Sequence, residues 1–178
     1  GHIKPATFSK TKISELENIF KVNYFPGLIL SQVIGKEMIK RKSGIFLNIS
    51  TTYSETSSAL VIPSAVAKSG VDTLMKGLTV EWSDYNIRFV GIAPGPIEGS
   101  GGMYILDKFG IYSKMNNYLN PSKRMGTQEE IAKLGLYLTS DDASYINGEI
   151  VRIDGGELNK NSGEFNFITN IPYYKKLI

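Results

Sequence analysis

The sequence contains no cysteine and a single histidine, His2, in 178 residues. Without cysteine the chain can form no disulfide and cannot use a thiolate as a nucleophile. One histidine cannot supply the imidazole cluster that many transition-metal sites use, so we predict no bound metal. No apolar run approaches the roughly 18 residues of a transmembrane helix, and the first residues do not read as a secretory signal. These absences favour a protein of a reducing compartment that does not enter a membrane.

The net charge is also small: 20 basic and 17 acidic residues give +3. That charge is too low to indicate a nucleic-acid partner, although it would suit an anionic substrate. The hydrophobic fraction of 42% and the charged fraction of 21% are ordinary for a globular protein. We therefore predict that residues 1–178 form a single domain with its own core.

The stretch from Gly44 to Lys68 carries the most information about function. An apolar run over 45–49 predicts a buried strand, and Pro63 suits the first turn of a following helix. Ser64 and Lys68 are four residues apart and should share one helix face, while Tyr53 is expected in the loop between strand and helix. A phenol, a hydroxyl and an ammonium could thus converge at the carboxyl end of a strand; a packed tyrosine and a solvated lysine are the alternative.

Alternating patterns predict the rest of the fold. Runs rich in β-branched residues at 87–93 and 149–153 predict two more strands, and helical periodicity begins near Ile13, Pro63 and Thr127. Strand, helix and strand at this spacing indicate parallel pairing. Ser14 and Thr127 are each followed three residues later by glutamate, so both are predicted to cap a helix, and Pro26-Gly27 should interrupt the first one.

Several of these stretches resemble the short-chain dehydrogenase/reductase family, and within it the 2,4-dienoyl-CoA reductases of the mitochondrial and bacterial type. Most members of the family carry Tyr-x-x-x-Lys on the catalytic helix. This chain has Ser64-x-x-x-Lys68 with Tyr53 displaced upstream, as the dienoyl-CoA reductases do. Further matches, within a similarity that runs over about 13–166, are Ile92-Ala-Pro94-Gly95-Pro96-Ile97, Arg124-Met-Gly126-Thr-Gln-Glu-Glu130, Asn147-Gly148, Asp154-Gly155-Gly156 and Ser162-Gly-Glu-Phe-Asn166.

The resemblance implies a Rossmann-like α/β fold, a parallel sheet flanked by helices, that lacks its N-terminal strands. It implies reduction of a 2,4-dienoyl-CoA to a 3-enoyl-CoA with NADPH, in the β-oxidation of unsaturated fatty acids. Tyr53 would donate a hydrogen bond to the thioester oxygen, Ser64 would lie near the nicotinamide or the substrate, and Lys68 would bind the nicotinamide ribose. The nicotinamide carboxamide would face backbone groups of Pro94, Gly95, Pro96 and Ile97. Water is expected to protonate the α-carbon, because no acidic side chain for that step is evident in the sequence.

The family further implies a homo-oligomer, a tetramer, that takes an acyl-CoA as its substrate. A bacterial source would place the protein in the cytoplasm and a eukaryotic source in the mitochondrial matrix. Residues 95–125 correspond to a substrate-binding lid with short helices, and the apolar tail at 157–178 is expected to dock on another surface.

The glycine-rich turn that cradles a dinucleotide pyrophosphate is missing ahead of the first strand. Gly95, Gly99 and Gly101 have a similar spacing after a strand, but Pro94 and Pro96 lack N–H donors there, so we do not interpret this stretch as a phosphate site. Two alternatives to the dienoyl-CoA reductase stay open. One is a carbonyl or alcohol oxidoreductase of the same superfamily, and the other is a truncated, non-catalytic homologue.

Overall fold

The structure, a computed structural model, describes residues 2–170 apart from the side chain of Asn117. Its sheet has three parallel strands in the order β1 (Gly44–Ile49), β2 (Ile87–Pro94) and β3 (Ile150–Ile153). The register pairs Gly44 with Ile87 and Gly91 with Ile150, so all three strands end at the same edge. The predicted parallel α/β sheet is confirmed.

Helices flank the sheet and connect its strands. In chain order they are α1 (Ile13–Asn23), α2 (Phe25–Arg41), α3 (Tyr53–Thr56), α4 (Ile62–Glu81), α5 (Gly101–Leu106), α6 (Ile111–Leu119), α7 (Gln128–Thr139) and α8 (Glu157–Ser162). Short 3₁₀ turns lie at Phe8–Lys10, Ser83–Tyr85, Asp141–Ala143 and Asn166–Asn170.

The core lies on both faces of β2, because successive side chains of a strand point to opposite sides. On one face Phe89 is fully buried and stacks on Phe46 with ring centroids 5.0 Å apart, beside Trp82. On the other face Val90 and Ile92 pack with Leu138 and its neighbours on α7. The sheet is therefore enclosed between α2 and α4 on one side and α7 on the other.

The outer edge of β1 is less well covered than the centre of the sheet. Leu47 is 39% exposed and Ile49 is 45% exposed, although both belong to a strand of the core sheet. Among the described residues β1 pairs on one side alone, with β2. This geometry agrees with a Rossmann-like sheet whose first strands are absent.

The two predicted capping boxes have different outcomes. The prediction for Thr127 is confirmed: its hydroxyl accepts the Glu130 N–H at 3.2 Å, and the Glu130 carboxylate accepts the Thr127 N–H at 2.8 Å. The prediction for Ser14 is wrong, because α1 begins at Ile13 after an N-cap Lys12 with no side-chain bond. The expected interruption near Pro26 occurs at Tyr24, since proline fits the first turn of a new helix.

Replacing Thr127 by alanine should lower the free energy of unfolding by about 1 kcal/mol, because the Glu130 N–H at the start of α7 loses its side-chain acceptor. Ser14→Ala is the matched control and should change stability by at most a few tenths of a kcal/mol, since Ser14 makes no cap. Chemical denaturation of both variants measures the difference. Equal losses for the two would contradict the role of the Thr127 cap.

The lid region holds two short helices, α5 and α6, as predicted. The described part of the tail forms α8 and a 3₁₀ turn. Phe165, just before this turn, is 74% exposed, and Phe167, within it, is 62% exposed. These two rings therefore do not dock on the described part of the chain. The remaining tail residues for which docking was predicted, among them Ile171, Tyr173 and Tyr174, lie outside the described residues.

Candidate active site

A cleft of about 400 Å³ opens where β1 and β2 end, under the lid. Open α/β sheets bind ligands at this edge of their parallel strands. Tyr53 and Lys68 both line the cleft, and three of the four residues expected to face the nicotinamide, Pro94, Gly95 and Ile97, line it with them. The structure thus places the phenol and the ammonium at one cleft, at the carboxyl ends of the strands.

Tyr53 is held by a polar network beneath its short helix. It is the first residue of α3, a single turn, and not part of an irregular loop as the sequence predicted. The next residue, Ser54, donates to the buried Asp72 carboxylate at 2.7 Å, and Ser50 donates to the same oxygen at 2.6 Å. Because Asp72 belongs to α4, this network ties the turn that carries Tyr53 to the helix that carries Lys68.

Lys68 is half-buried, and its ammonium donates to the Ile49 carbonyl at 2.5 Å, at the last residue of β1. Burial lowers the pKa of Lys68, because the charged form loses water, while the nearby Asp72 carboxylate opposes that shift. A partly desolvated ammonium at the end of a strand exerts a strong local field on a bound ligand. This position suits a group that binds hydroxyls of a sugar and polarises its neighbours.

Ser64 does not line the cleft, although it lies one turn before Lys68 on the same helix. It is 2% exposed and accepts a long hydrogen bond of 3.4 Å from the Asn23 amide. That amide also donates to the His2 carbonyl at 2.8 Å and accepts the His2 N–H at 2.7 Å. Asn23 of helix α1, held in place by the backbone of His2, therefore contacts the buried Ser64, which the spacing on α4 alone could not reveal.

The stretch from Pro94 to Ile97 forms the floor between the ends of β2 and β3. The Gly95 N–H donates to the Ile153 carbonyl at 3.0 Å, and the Pro96 carbonyl accepts the Gly126 N–H at 3.0 Å. A Cβ on Gly95 would lie 2.8 Å from the Asp154 Cα, so this close approach of two backbones requires glycine. Pro96 itself lines the neighbouring chamber described below.

Three N–H groups between Gly95 and Gly101 form hydrogen bonds within the protein. In addition to the bond from Gly95, the Glu98 N–H donates to the Gly126 carbonyl at 2.9 Å and the Ser100 N–H to the Ile97 carbonyl at 3.2 Å. Amides that are paired within the protein cannot surround a pyrophosphate. This agrees with the interpretation made from the sequence.

A second chamber of about 320 Å³ adjoins the cleft and shares Tyr53, Pro94 and Gly95 with it. Its walls include Glu157 at the start of α8 and Tyr112 on α6, and the Tyr112 hydroxyl donates to Glu157 Oε1 at 2.7 Å. The sequence analysis missed Glu157 as a site candidate. A usable signal was present, because Glu157 follows closely after β3 and the ends of parallel strands meet at one edge.

The described residues fit the nicotinamide end of a dinucleotide cofactor. The Lys68 ammonium is a donor at the cleft, and Gly95 lines the same cleft where its backbone passes close to Asp154. For the pyrophosphate end, the N–H groups of Gly95, Glu98 and Ser100 are already paired within the protein, and Pro96 has none to offer. Only the nicotinamide and ribose are therefore assigned to residues of this chain.

Several known proteins have sequences similar to that of this chain. The family described as enoyl-(acyl carrier protein) reductase matches residues 1–157. A Bacillus subtilis protein described as a probable 2,4-dienoyl-CoA reductase that produces (2E)-enoyl-CoA is 46% identical over 71% of this chain and 51% of its own length. The mouse peroxisomal 2,4-dienoyl-CoA reductase, described as (3E)-enoyl-CoA-producing, is 38% identical over 71% of this chain and 44% of its own length. The chain thus spans about half the length of these curated relatives.

Solved structures show the same architecture. A short-chain dehydrogenase from Bacillus anthracis has a TM-score of 0.78 at 34% identity, with 89% of this chain and 61% of that chain covered. A protein from Agrobacterium tumefaciens, provisionally assigned as 2-deoxy-d-gluconate 3-dehydrogenase and solved with bound NADP, has a TM-score of 0.83 at 30% identity. That match covers 89% of this chain and 65% of the other. Across residues 2–170, we find no helix with the length and apolar character needed to span a membrane.

Proposed function

Because this chain belongs to the enoyl-(acyl carrier protein) reductase family of short-chain dehydrogenases/reductases, we propose that it takes part in the NADPH-dependent reduction of a 2,4-dienoyl-CoA to a 3-enoyl-CoA. The observation that carries this proposal is the joint placement of Tyr53 and Lys68 at one cleft with Ser64 four residues before the lysine. A carbonyl reductase of the superfamily would have tyrosine at position 64, where this chain has a buried serine.

The cofactor, when bound, supplies a hydride to the far end of the diene. The residues of this chain then act on the charge that gathers on the thioester oxygen as a dienolate. Tyr53 donates a hydrogen bond to that oxygen, which stabilises the transition state more than the ground state. Lys68 binds the nicotinamide ribose and keeps the potential around the cleft positive, while backbone groups from Pro94 to Ile97 contact the carboxamide.

Ser64 has a smaller part in this proposal than the family resemblance implied. Its hydroxyl is enclosed with Asn23 and lies behind the wall of the cleft. We assign to Ser64 the positioning of α4 against α1, with Tyr53 and Lys68 as the groups that contact the ligands.

We also propose that the protein assembles as a homo-oligomer, with a tetramer as the form that the resemblance implies. Helix α2 supports this proposal because four aliphatic side chains on it are 42–60% exposed: Ile29, Leu30, Val33 and Ile34. A contiguous apolar stripe of this kind is typical of a surface that another protein covers. The cellular compartment stays a prediction, cytoplasmic for a bacterial protein and the mitochondrial matrix for a eukaryotic one.

The reaction is tested with the complete product of the gene, a 2,4-dienoyl-CoA and NADPH. We expect oxidation of NADPH and a 3-enoyl-CoA product, identified by chromatography against the 2-enoyl isomer that the Bacillus subtilis relative is described as producing. A ketone substrate in parallel tests the carbonyl-reductase alternative, and the intact mass tests the truncated one. Absence of NADPH oxidation with dienoyl-CoA substrates would show that the proposed function is wrong.

A further inference from the structure

Glu157 places a carboxyl group on the wall of the chamber that it shares with Tyr53. It is half-buried, and its Oε1 accepts the Tyr112 hydroxyl at 2.7 Å. Its Oε2 lies 3.4 Å from the position that a Cβ on Gly95 would occupy, so this oxygen lies beside the backbone at the floor of the cleft. One oxygen of Glu157 thus contacts the lid, and the other lies near the backbone of Gly95, a residue that lines both the chamber and the cleft.

The surroundings of Glu157 raise its pKa on balance. Burial raises the pKa of Glu157; the hydrogen bond from Tyr112 opposes this shift and the charge of Asp154 adds to it. Burial and the neighbouring Glu157 carboxylate likewise raise the pKa of Tyr112, which keeps the phenol a donor. The other titratable groups that face this pair or adjoin it are Asp107 on the lid side, Tyr53 across the chamber, and Arg152, whose guanidinium is 3.7 Å from Asp154.

We propose that Glu157 is the proton donor that completes the reduction, at the α-carbon of the substrate, in place of water. This inference rests on the proposed function. The hydride brings two electrons to the δ-carbon, and the electron pair of the diene moves toward the thioester oxygen, where Tyr53 donates its hydrogen bond. A C–H bond then forms at the α-carbon as the O–H bond of Glu157 breaks, which leaves the double bond between the β- and γ-carbons. Glu157 remains as a carboxylate and takes a proton from solvent before the next turnover.

The same contact has a purely structural alternative, in which Glu157 only fastens the lid through Tyr112. Two variants separate these roles. In Glu157→Gln the amide oxygen can still accept from Tyr112, but the acidic proton is lost. In Tyr112→Phe the hydrogen bond to the lid is lost, but the carboxylic acid remains. The two substitutions therefore have opposite consequences under the two roles.

We expect Glu157→Gln to lower single-turnover product formation about 10²-fold or more, since a positioned general acid contributes on that scale. Tyr112→Phe should keep most of the rate. In the wild-type protein the rate should fall as pH rises through the pKa of Glu157. In Tyr112→Phe this fall in rate should occur at higher pH, because the hydrogen bond that stabilised the carboxylate is gone. In Glu157→Gln the fall should be absent.

The pKa of Glu157 can also be measured in the protein without cofactor or substrate. Carbon-13 NMR of the labelled Glu157 carboxyl should give a pKa above that of an exposed glutamate. The same pKa should describe the fall of the reaction rate with rising pH. Thermal unfolding of each variant confirms that it folds. Full activity in Glu157→Gln together with loss of activity in Tyr112→Phe would overturn the donor role and leave the proposed reaction standing. A wild-type protein that oxidises no NADPH with a dienoyl-CoA would overturn both.

Discussion

Replacing Tyr53 by phenylalanine is expected to lower kcat with a 2,4-dienoyl-CoA by about 10²–10³-fold, while KM stays close to that of the wild type. The substitution removes one hydroxyl and leaves the ring, so the packing of α3 over the cleft should persist. The lost hydrogen bond strengthens as charge develops on the thioester oxygen, and such a contact acts on kcat more than on substrate binding. Steady-state kinetics with varied dienoyl-CoA concentration measures both constants.

Tyr145→Phe is the matched control for this prediction. Tyr145 is fully exposed beyond α7, so the loss of its hydroxyl should leave both constants unchanged. Tyr53 keeps its place through the bonds of Ser54 and Ser50 to Asp72, which neither substitution touches. An unchanged kcat in Tyr53→Phe would show that the phenol does not stabilise the dienolate.

Replacing Lys68 by alanine is expected to weaken NADPH binding by about 10–100-fold, the scale of a hydrogen bond to a charged group, and to lower kcat as well. The ammonium is half-buried at the cleft and bonded to the Ile49 carbonyl, so its removal also leaves the end of β1 without that donor. Fluorescence titration of the complete gene product with NADPH measures the affinity. Lys76→Ala is the control, because Lys76 is an exposed lysine two turns further along the same helix.

The pH dependence of cofactor binding follows from the lowered pKa of Lys68. NADPH affinity should fall as pH rises through that pKa, because the ammonium becomes neutral, and the fall should begin below the range in which an exposed lysine loses its proton. The pH dependence of stability has the opposite sign to that of NADPH affinity. The unfolded chain binds the proton more tightly, so the contribution of this group to stability rises with pH between the folded and unfolded pKa values. Affinity independent of pH in this range would contradict a charged role for Lys68 in binding.

Local patterns were sufficient to predict most of the fold. The strands at 45–49 and 87–93 and the cap at Thr127 each depend on residues near in sequence, and the structure has them within one or two positions. The short helices of the lid were expected only from the family resemblance. The error at Ser14 has a local cause too. Two residues earlier, Lys12 already has the extended backbone of a helix start, so Ser14 lies inside the first turn and its hydroxyl is not used.

The sequence by itself determined the parallel α/β sheet and the placement of Tyr53 and Lys68 near one edge, because strand periodicity and a four-residue helical spacing act over short distances. Tertiary structure alone decided that Ser64 is buried against Asn23, which lies 41 positions away in the sequence. It also decided that Glu157 reaches Tyr112 across 45 residues. Burial and contacts of this range depend on how separate elements pack, and no local pattern records that packing.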